Sequence, residues 1–466
     1  MIARLGDFIE LLERGGQLVR IGCEVDSDQE IAAITARVAR EGGPALFFEN
    51  VQGRRTPVAT NLLGSEERVR LALGVAKLDD VIGLLSKPAA SPSGWLARLK
   101  GNEQGSQAPR VVKMAGCQQV VRLGRDVDLA AWPALRSWPG EAQPSITAGR
   151  LLTVDSSGEP VTFAVTASIV DRAQLSLTID LPLHAFQPKV RTPAAIVLGG
   201  EPAAAIFTSA AARPLAAFDL PAMLRNRGAD LAKCRTHDVY VPAEAEIVIE
   251  GFVEPASAQQ PASNLAAETG YYAPLSSAWP MEVTAITHRT NPIFPATVVA
   301  APPSEASVIR GVIARWLRPL LAQAVPEMVD YHLPNDAGPH QFAVVSIRKT
   351  HAQQARKVMA ACWGLEWLTL TKMLVVVDEH VDVRDGRAVL QAMGANVDGR
   401  RDVIPWQGPA WTGDHAADDP NAGTHVGIDA TAKLPGESTR PWPARLVTDE
   451  AIAELVAKRW KEYGVQ

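Results

Sequence analysis

The amino-acid sequence predicts an α/β (α+β) protein in which helix and strand alternate at both ends around a β-rich middle. Three observations carry this reading. Apolar residues near the N-terminus recur first at helical and then at strand spacing. The middle third is broken into short apolar runs punctuated by Gly, Pro, Asp and Ser. The last third returns to alternation.

From Gly6 to Gly16, Phe8, Leu11 and Leu12 fall on one helical face, and Gly15-Gly16 end it. A strand follows over Gln17 to Ile21. Ser27, with Glu30 three residues later, has the capping-box pattern and predicts a helix running to Arg40. Gly42-Gly43-Pro44 breaks that helix, and Ala45 to Glu49 returns as a strand before a turn at Gln52-Gly53. Residues 87–110 are rich in Pro, Ser and Gly and read as a linker or surface excursion. Arg150 to Val154, Val161 to Ile169, Ala194 to Leu198, Glu246 to Ile249 and Glu282 to Ile286 then suggest a barrel or sandwich. Strand Phe342 to Ile347, helix Gln353 to Cys362 and strand Met373 to Val377 restore the α/β pattern, and a helix over Glu450 to Tyr463 closes the chain. No internal repeat at a fixed period is visible.

The 466 residues argue for two or three domains. Hydrophobic residues at 47% and charged residues at 21% are the balance of a globular protein. A net charge of -5 sets up no field that would draw in nucleic acid or anionic lipid, so neither is an expected partner. Cys23, Cys117, Cys234 and Cys362 lie far apart without a Cys-x-x-Cys pair, which suggests neither a disulfide framework nor a zinc knuckle. The opening MIARLGDFIELLERGG carries acids early, and no unbroken run of about 18 apolar residues occurs. The expected location is the cytoplasm.

Dinucleotide, P-loop, metalloprotease and nucleophile-elbow motifs are all missing. His332 and His340, the most closely spaced histidines, fit no standard metal spacing. Asp378-Glu379 at the tip of an apolar strand reads either as a functional acid pair or as the acidic start of a helix. Tyr271-Tyr272 after Gly270 is either a stacking platform for a flat ligand or edge packing.

Several stretches together resemble the UbiD family of carboxy-lyases, decarboxylases that use prenylated FMN. They are GGPALFFENVQG leading to NLLGS, VPAEAEIVIEGFVEP, TGYYAP with VTAITHRTNPIFPATVV, and AVVSIRK continuing through QARKVMAACWGL, LTKMLVVVDEHVDV and GIDAT. The resemblance spans nearly the whole chain in order and spacing. It implies an N-terminal α/β domain (1–115), a central split β-barrel related to flavin reductases (116–310), and a C-terminal α/β domain (311–466) whose last helix helps form dimers or hexamers. The implied activity is non-oxidative decarboxylation of an aromatic or α,β-unsaturated carboxylic acid, with the difficult chemistry lent by the cofactor. In that family an arginine is held between two acids, one of which delivers the proton. An asparagine, a histidine and a glutamate hold a divalent metal that bridges to the flavin phosphate.

Residue by residue, the resemblance places unsuitable groups at these positions. The metal-binding asparagine becomes Pro160 and the arginine becomes Val165; the histidine falls near Leu177 and the glutamate near Phe218. None of these side chains offers a ligand oxygen or a guanidinium. Both acids become alanines, Ala262 and Ala267, and a late lysine becomes His425. No divalent metal is therefore expected. Phe163, Val165, Arg172, Leu177 and His425 mark the implied cofactor pocket. Polar groups able to form a different site are Arg172, Asp180, His184, Glu268, Tyr271 and His425. Among them Glu268, directly after a lost acid, is the candidate proton donor, its other reading being a solvated loop carboxylate.

Three functions follow from different classes. The chain is a divergent carboxy-lyase, or an inert paralogue assembling with an active relative, or a small-molecule binding module in a now apolar pocket. Expected partners are a small acid and further subunits, as a homo-oligomer or a hetero-oligomer.

Overall fold

The computed structural model describes residues 2–85, 109–154, 160–179, 188–208, 224–225, 228–258, 264–273, 278–411, 413–419 and 422–464. The expected linker over 87–110 lies almost wholly outside them, as do Asp180, His184, Phe218 and Ala262.

Helix α1 (Leu5–Arg14) buries Leu5, Phe8, Ile9 and Leu12, one face of a 3.6-residue period. Strand β1 (Leu18–Val25) leads to α2 (Glu30–Arg40), β2 (Ala45–Val51), β3 (Val58–Thr60), α3 (Glu66–Leu73) and the short α4 (Ile82–Leu85). The Ser27 capping box does not form as expected. The segment is pulled into a tertiary contact instead: the Ser27 carbonyl accepts from Arg136 N–H, and Gln29 N–H donates to the Arg136 carbonyl. The helix consequently starts at Glu30, whose carboxylate reaches back to Asp26 N–H at 2.8 Å.

After β4 (Arg110–Val111) and β5 (Val120–Leu123), the central unit is built from β6 (Ser145–Val154), β7 (Pro160–Ile169), β8 (Gln174–Ile179), β9 (Thr192–Leu198), the short helix α5 (Pro202–Phe207), β10 (Asp230–Lys233), β11 (Tyr240–Pro242), β12 (Ile247–Val253), the hairpin β13–β14 (Leu265–Ala266, Tyr272–Ala273) and β15 (Trp279–His288). Strands β12-β9-β6-β7-β8-β15 pair in that order, and β12 also pairs antiparallel with β15, so six strands close on themselves. Closure removes the open edges that a flat sheet would expose. Alternate residues point inward, and Leu151, Val165, Ala167, Leu177, Ile196, Ile249 and Met281 fill the interior as one apolar cluster continuous with Ile31 and Phe48 of the N-terminal layer.

Strand β16 (Phe294–Pro295) runs back to pair parallel with β3, tying the barrel to the N-terminal sheet β1-β2-β3-β16. Helix α6 (Glu305–Ala324) was not anticipated from periodicity. It is started by a reciprocal cap in which Ser304 Oγ accepts from Ser307 N–H and Ser307 Oγ accepts from Ser304 N–H. Trp316 of α6 is fully buried against Phe8, Leu12 and Leu73. The C-terminal unit has β17 (Met328–His332), β18 (Phe342–Ile347), α7 (Gln354–Trp363), β19 (Met373–Asp378), α8 (Gly386–Asn396), β20 (Val403–Pro409), β21 (Ala422–Asp429) and α9 (Glu450–Arg459), with sheet order β17-β18-β19-β21-β20. Among the described residues no helix is long and apolar enough to cross a membrane.

Glu305, in the first turn of α6, accepts from Leu63 N–H at 2.7 Å and pins the N-terminal layer to the helix. Burial pushes its carboxyl from 4.5 up to about 7, against the pull of that N–H and of Arg68. The folded protein thus holds a proton that the unfolded chain releases as pH rises from about 4.5 to 7. Stability contributed at this site falls across that window by as much as about 3 kcal/mol. Glu305→Gln keeps an acceptor for Leu63 and removes the titration. Urea unfolding from pH 4 to 8 should accordingly show a flatter pH slope in the variant than in wild type; equal slopes would show that Glu305 does not titrate there.

Candidate active site

The hairpin β13–β14 carries the candidate proton donor. Its five-residue turn is closed by Ala267 N–H to the Tyr271 carbonyl at 2.9 Å and Gly270 N–H to the Ala267 carbonyl at 3.0 Å. Gly270, at φ +81°, supplies the left-handed residue that this turn needs. Glu268 is held here against helix α6, its Oε2 accepting from Arg310 Nη1 at 2.8 Å. The two side chains are 20% and 12% exposed, so the pair is neither a surface bridge nor fully enclosed. Glu268 is therefore not a solvated loop carboxylate.

Arg310 was not singled out from sequence, because it belongs to a helix more than 40 residues away. Its Nη2 is buried without a hydrogen-bond partner among the described residues, as are Thr269 Oγ1 beside Glu268 and Asn335 Oδ1 in the loop facing α6. Unpaired buried polar atoms are costly and uncommon, and here three of them come from the hairpin, α6 and the loop packed against that helix. Gly311 of α6 is where Asn335 lies close: a Cβ there would meet Asn335 Oδ1 at 2.8 Å. Arg310 Nη2 is a charged donor suited to a small anion or carboxylate, and the Thr269 hydroxyl can donate or accept, whereas Asn335 Oδ1 only accepts.

Tyr271 is 62% exposed and lies with its ring 4.3 Å from that of His415, so the hairpin touches the C-terminal unit. Tyr272 faces the other way: its hydroxyl accepts from Gly140 N–H at 2.8 Å. The tyrosine pair is thus divided, one packing against the barrel side and one at the seam. Beside the seam, Leu370, Lys372, Trp411, Asp414 and His425 border a cavity of about 420 Å³. Lys372 is paired with Asp414 at 2.9 Å, which cancels the charge an acid substrate would seek there.

Of the implied cofactor-pocket positions, Phe163, Val165 and Leu177 share the barrel interior, while Arg172 and His425 lie apart from them. Val165 and Leu177 are 3% and 0% exposed inside the barrel, and Phe163 packs against the same apolar cluster. Arg172 is exposed in the β7–β8 turn, 3.6 Å from Asp128. His425 is 3% exposed, with Nδ1 2.7 Å from the Thr371 carbonyl and Nε2 3.1 Å from the Pro409 carbonyl, and with the Trp363 and Trp406 rings against it. Both nitrogens are used within its own unit, which leaves none to meet a phosphate. A metal-bridged flavin phosphate needs oxygen or nitrogen ligands and nearby cations. Val165 and Leu177 offer only methyl groups packed against Ala167 and Met281, and these residues do not fit that group. Asp378-Glu379 starts no helix: Asp378 accepts from Ala432 N–H at 2.8 Å, and Glu379 pairs with Arg348 at 2.9 Å.

Comparison with known proteins bears on this architecture as a whole. Three sequence profiles match in order: the 3-octaprenyl-4-hydroxybenzoate carboxy-lyase N-terminal domain at residues 9–87, its Rift-related domain at 110–302 and its C-terminal domain at 307–430. An uncharacterized protein of Aquifex aeolicus is 35% identical over 99% of both chains. Another, of Synechocystis sp., is 34% identical over all of this chain and 97% of its own. Among solved structures, the vanillic acid decarboxylase of Sedimentibacter hydroxybenzoicus in closed form superposes with a TM-score of 0.82 at 24% identity, covering both chains fully. An evolved dimeric form of the UbiD-class enzyme HmfF from Pelotomaculum thermopropionicum, in complex with prFMN, gives 0.75 at 26% identity over 97% of this chain and 98% of its own. From end to end, this chain belongs to the UbiD family.

Proposed function

We propose that this protein is a carboxy-lyase acting on an aromatic or α,β-unsaturated carboxylic acid through a rearranged site, in which Glu268 donates the proton and Arg310 holds the acid. The Glu268–Arg310 pair carries this reading. It brings an arginine of α6 to an acid of the hairpin, one residue after Ala267, where the resemblance places one of the family's two acids. The unpartnered Arg310 Nη2 offers a second donor for a substrate carboxylate. In the reaction the bond to the carboxylate breaks and carbon dioxide leaves. The Glu268 proton adds first to the carbon that bears the carboxylate, the electron pair of the broken bond then restores the substrate's conjugated system, and solvent returns the proton to Glu268. The vanillic acid decarboxylase has been solved in open and closed forms. Separation of Tyr271 from His415 is the corresponding route of entry here.

A second reading is supported by the aliphatic filling of the barrel at Val165 and Leu177: an inert subunit that assembles with an active relative. Carbon dioxide release and solvent-deuterium incorporation across a panel of hydroxybenzoates and cinnamates separate the two. The first reading expects wild-type turnover that falls about a hundredfold or more in Glu268→Gln, the usual worth of a placed general acid. Arg310→Lys should raise KM more than it lowers kcat. Silence of the wild type across the panel would overturn this reading, and activation of a co-purified relative would establish the second.

Assembly belongs to the same proposal. Helix α9 and the turn after it leave Ile452, Leu455 and Trp460 roughly half exposed, and none of its residues is buried in its own chain. Such a face at helical spacing is expected to be covered by another subunit. Light scattering at micromolar concentration should give a dimer or larger, and Ile452→Asp with Leu455→Asp should reduce it to monomer; a monomeric wild type would refute the assembly.

A further inference from the structure

Outside the barrel, away from the Glu268–Arg310 pair, three metal-ligating side chains meet. Cys234 and His237 stand at Cys-x-x-His spacing in the turn joining β10 to β11, which Cys234 N–H closes on the Val239 carbonyl at 2.9 Å. Glu250 faces them from β12, paired in register with Ala195 and Ala285. Opposite it a β-bulge at Thr284 shifts the β12–β15 register between Glu250 and Gly251. The next position has to be glycine, since a Cβ on Gly251 would lie 2.0 Å from the Glu282 carbonyl oxygen. Ala195, Val197 and Val248 line this outer face together with Cys117 and Cys234. The cluster is thus separated by the barrel wall from Val165 and Leu177.

Glu250 is 0% exposed, yet only half of its carboxylate is satisfied. Oε2 accepts from Arg235 N–H at 2.7 Å, Thr236 N–H at 2.9 Å and Thr236 Oγ1 at 3.1 Å. Among the described residues Oε1 has no hydrogen-bond partner. A buried carboxylate oxygen left without a donor is an expensive arrangement unless a cation occupies the gap. The histidine is set up to complement it. Nε2 lies 3.0 Å from the Ala194 carbonyl, to which it must donate, and Val239 N–H approaches Nδ1 at a long 3.4 Å. Both contacts place the lone pair on Nδ1, the tautomer fixing that accompanies metal-ligating histidines. Burial lowers the His237 pKa from its ordinary value.

The geometry points to a divalent cation of the zinc class bound by Cys234, His237 and Glu250, locking the β10–β11 hairpin onto the barrel wall. The sulfur, one ring nitrogen and one carboxylate oxygen lie within 4.8 Å of one another. Tetrahedral zinc, with bonds of about 2.0–2.3 Å, separates its ligand atoms by about 3.3–3.8 Å, so the turn needs to move by only about 1 Å. Mixed thiolate, imidazole and carboxylate donors select a borderline ion over magnesium or calcium, which want oxygen alone. A thiolate and a carboxylate together balance a double positive charge. In the metal-free protein burial, and then Glu250, push the Cys234 thiol upward, so binding must release its proton to solvent.

Cobalt(II) is the direct probe, since cysteine ligation gives a thiolate-to-cobalt charge-transfer band. The full chain, purified under reducing conditions, should take up about one cobalt per chain with that band, and zinc should abolish it while raising the thermal midpoint. Cys234→Ser should lose the band. His237→Gln, at a partly buried position where the amide can still donate to the Ala194 carbonyl, should weaken cobalt binding at least about tenfold. Absence of the band in wild type, its survival in Cys234→Ser, or its loss in Cys23→Ser at the exposed cysteine would each overturn the assignment.

Discussion

Closure of the barrel through the β12–β15 pairing is the constraint on which the rest of the structure depends. Seven residue pairs join these strands, and every strand of the ring then has one face inside and one outside. A single position therefore decides whether the interior carries charge or hydrocarbon. At Val165 and Leu177 it carries hydrocarbon, contiguous with Leu151, Ile196 and Met281. Outside the wall the same alternation seats Glu250 beneath the β10–β11 hairpin. Inner and outer faces are chemically independent because no side chain reaches through a strand.

Where the interior is apolar, charge has been moved to the joins between units. Glu305 meets Leu63 N–H between α6 and the N-terminal layer, and Glu268 meets Arg310 between the hairpin and α6. In the C-terminal unit Lys349 pairs with Glu437 at 2.6 Å, and Lys433 lies 3.3 Å from Asp402 and 3.2 Å from Asp429, all of them buried. These last pairs are saturated: Lys433 also donates to the Asp429 and Thr431 carbonyls, and Lys349 to Thr431 Oγ1 and the Ala432 carbonyl. A saturated buried network orders the loop after β21 and has no free donor for a ligand. Glu268 and Arg310 differ in this respect, since Arg310 retains an unused nitrogen. That difference separates a structural join from a candidate site.

Family membership and catalytic chemistry rest on different features of a chain. Backbone topology is preserved by apolar periodicity, which tolerates many substitutions provided the burial pattern holds. Catalytic chemistry in the family rests on a few side chains with no tolerance for apolar replacement. This chain superposes over its whole length on the fold of a decarboxylase, and its barrel interior is aliphatic at Val165 and Leu177.

Sequence by itself determined the α/β ends and the β-rich middle, because strand and helix periods are local and survive in every apolar run from Arg150 to Ile286. It also determined the family, through motifs that run in order along the chain. It misplaced the start of α2, since the Ser27 contact with Arg136 is made by residues more than 100 apart. It passed over α6 and hence Arg310, and it read four scattered cysteines as carrying no metal pattern. Only the tertiary structure paired Glu268 with Arg310, turned both His425 nitrogens onto carbonyls, and brought Glu250 to Cys234 and His237. The physical reason is the same in each case. Partner choice for a polar group is set by which atoms burial leaves within about 3 Å, and that depends on strand register and barrel closure, which no local pattern encodes.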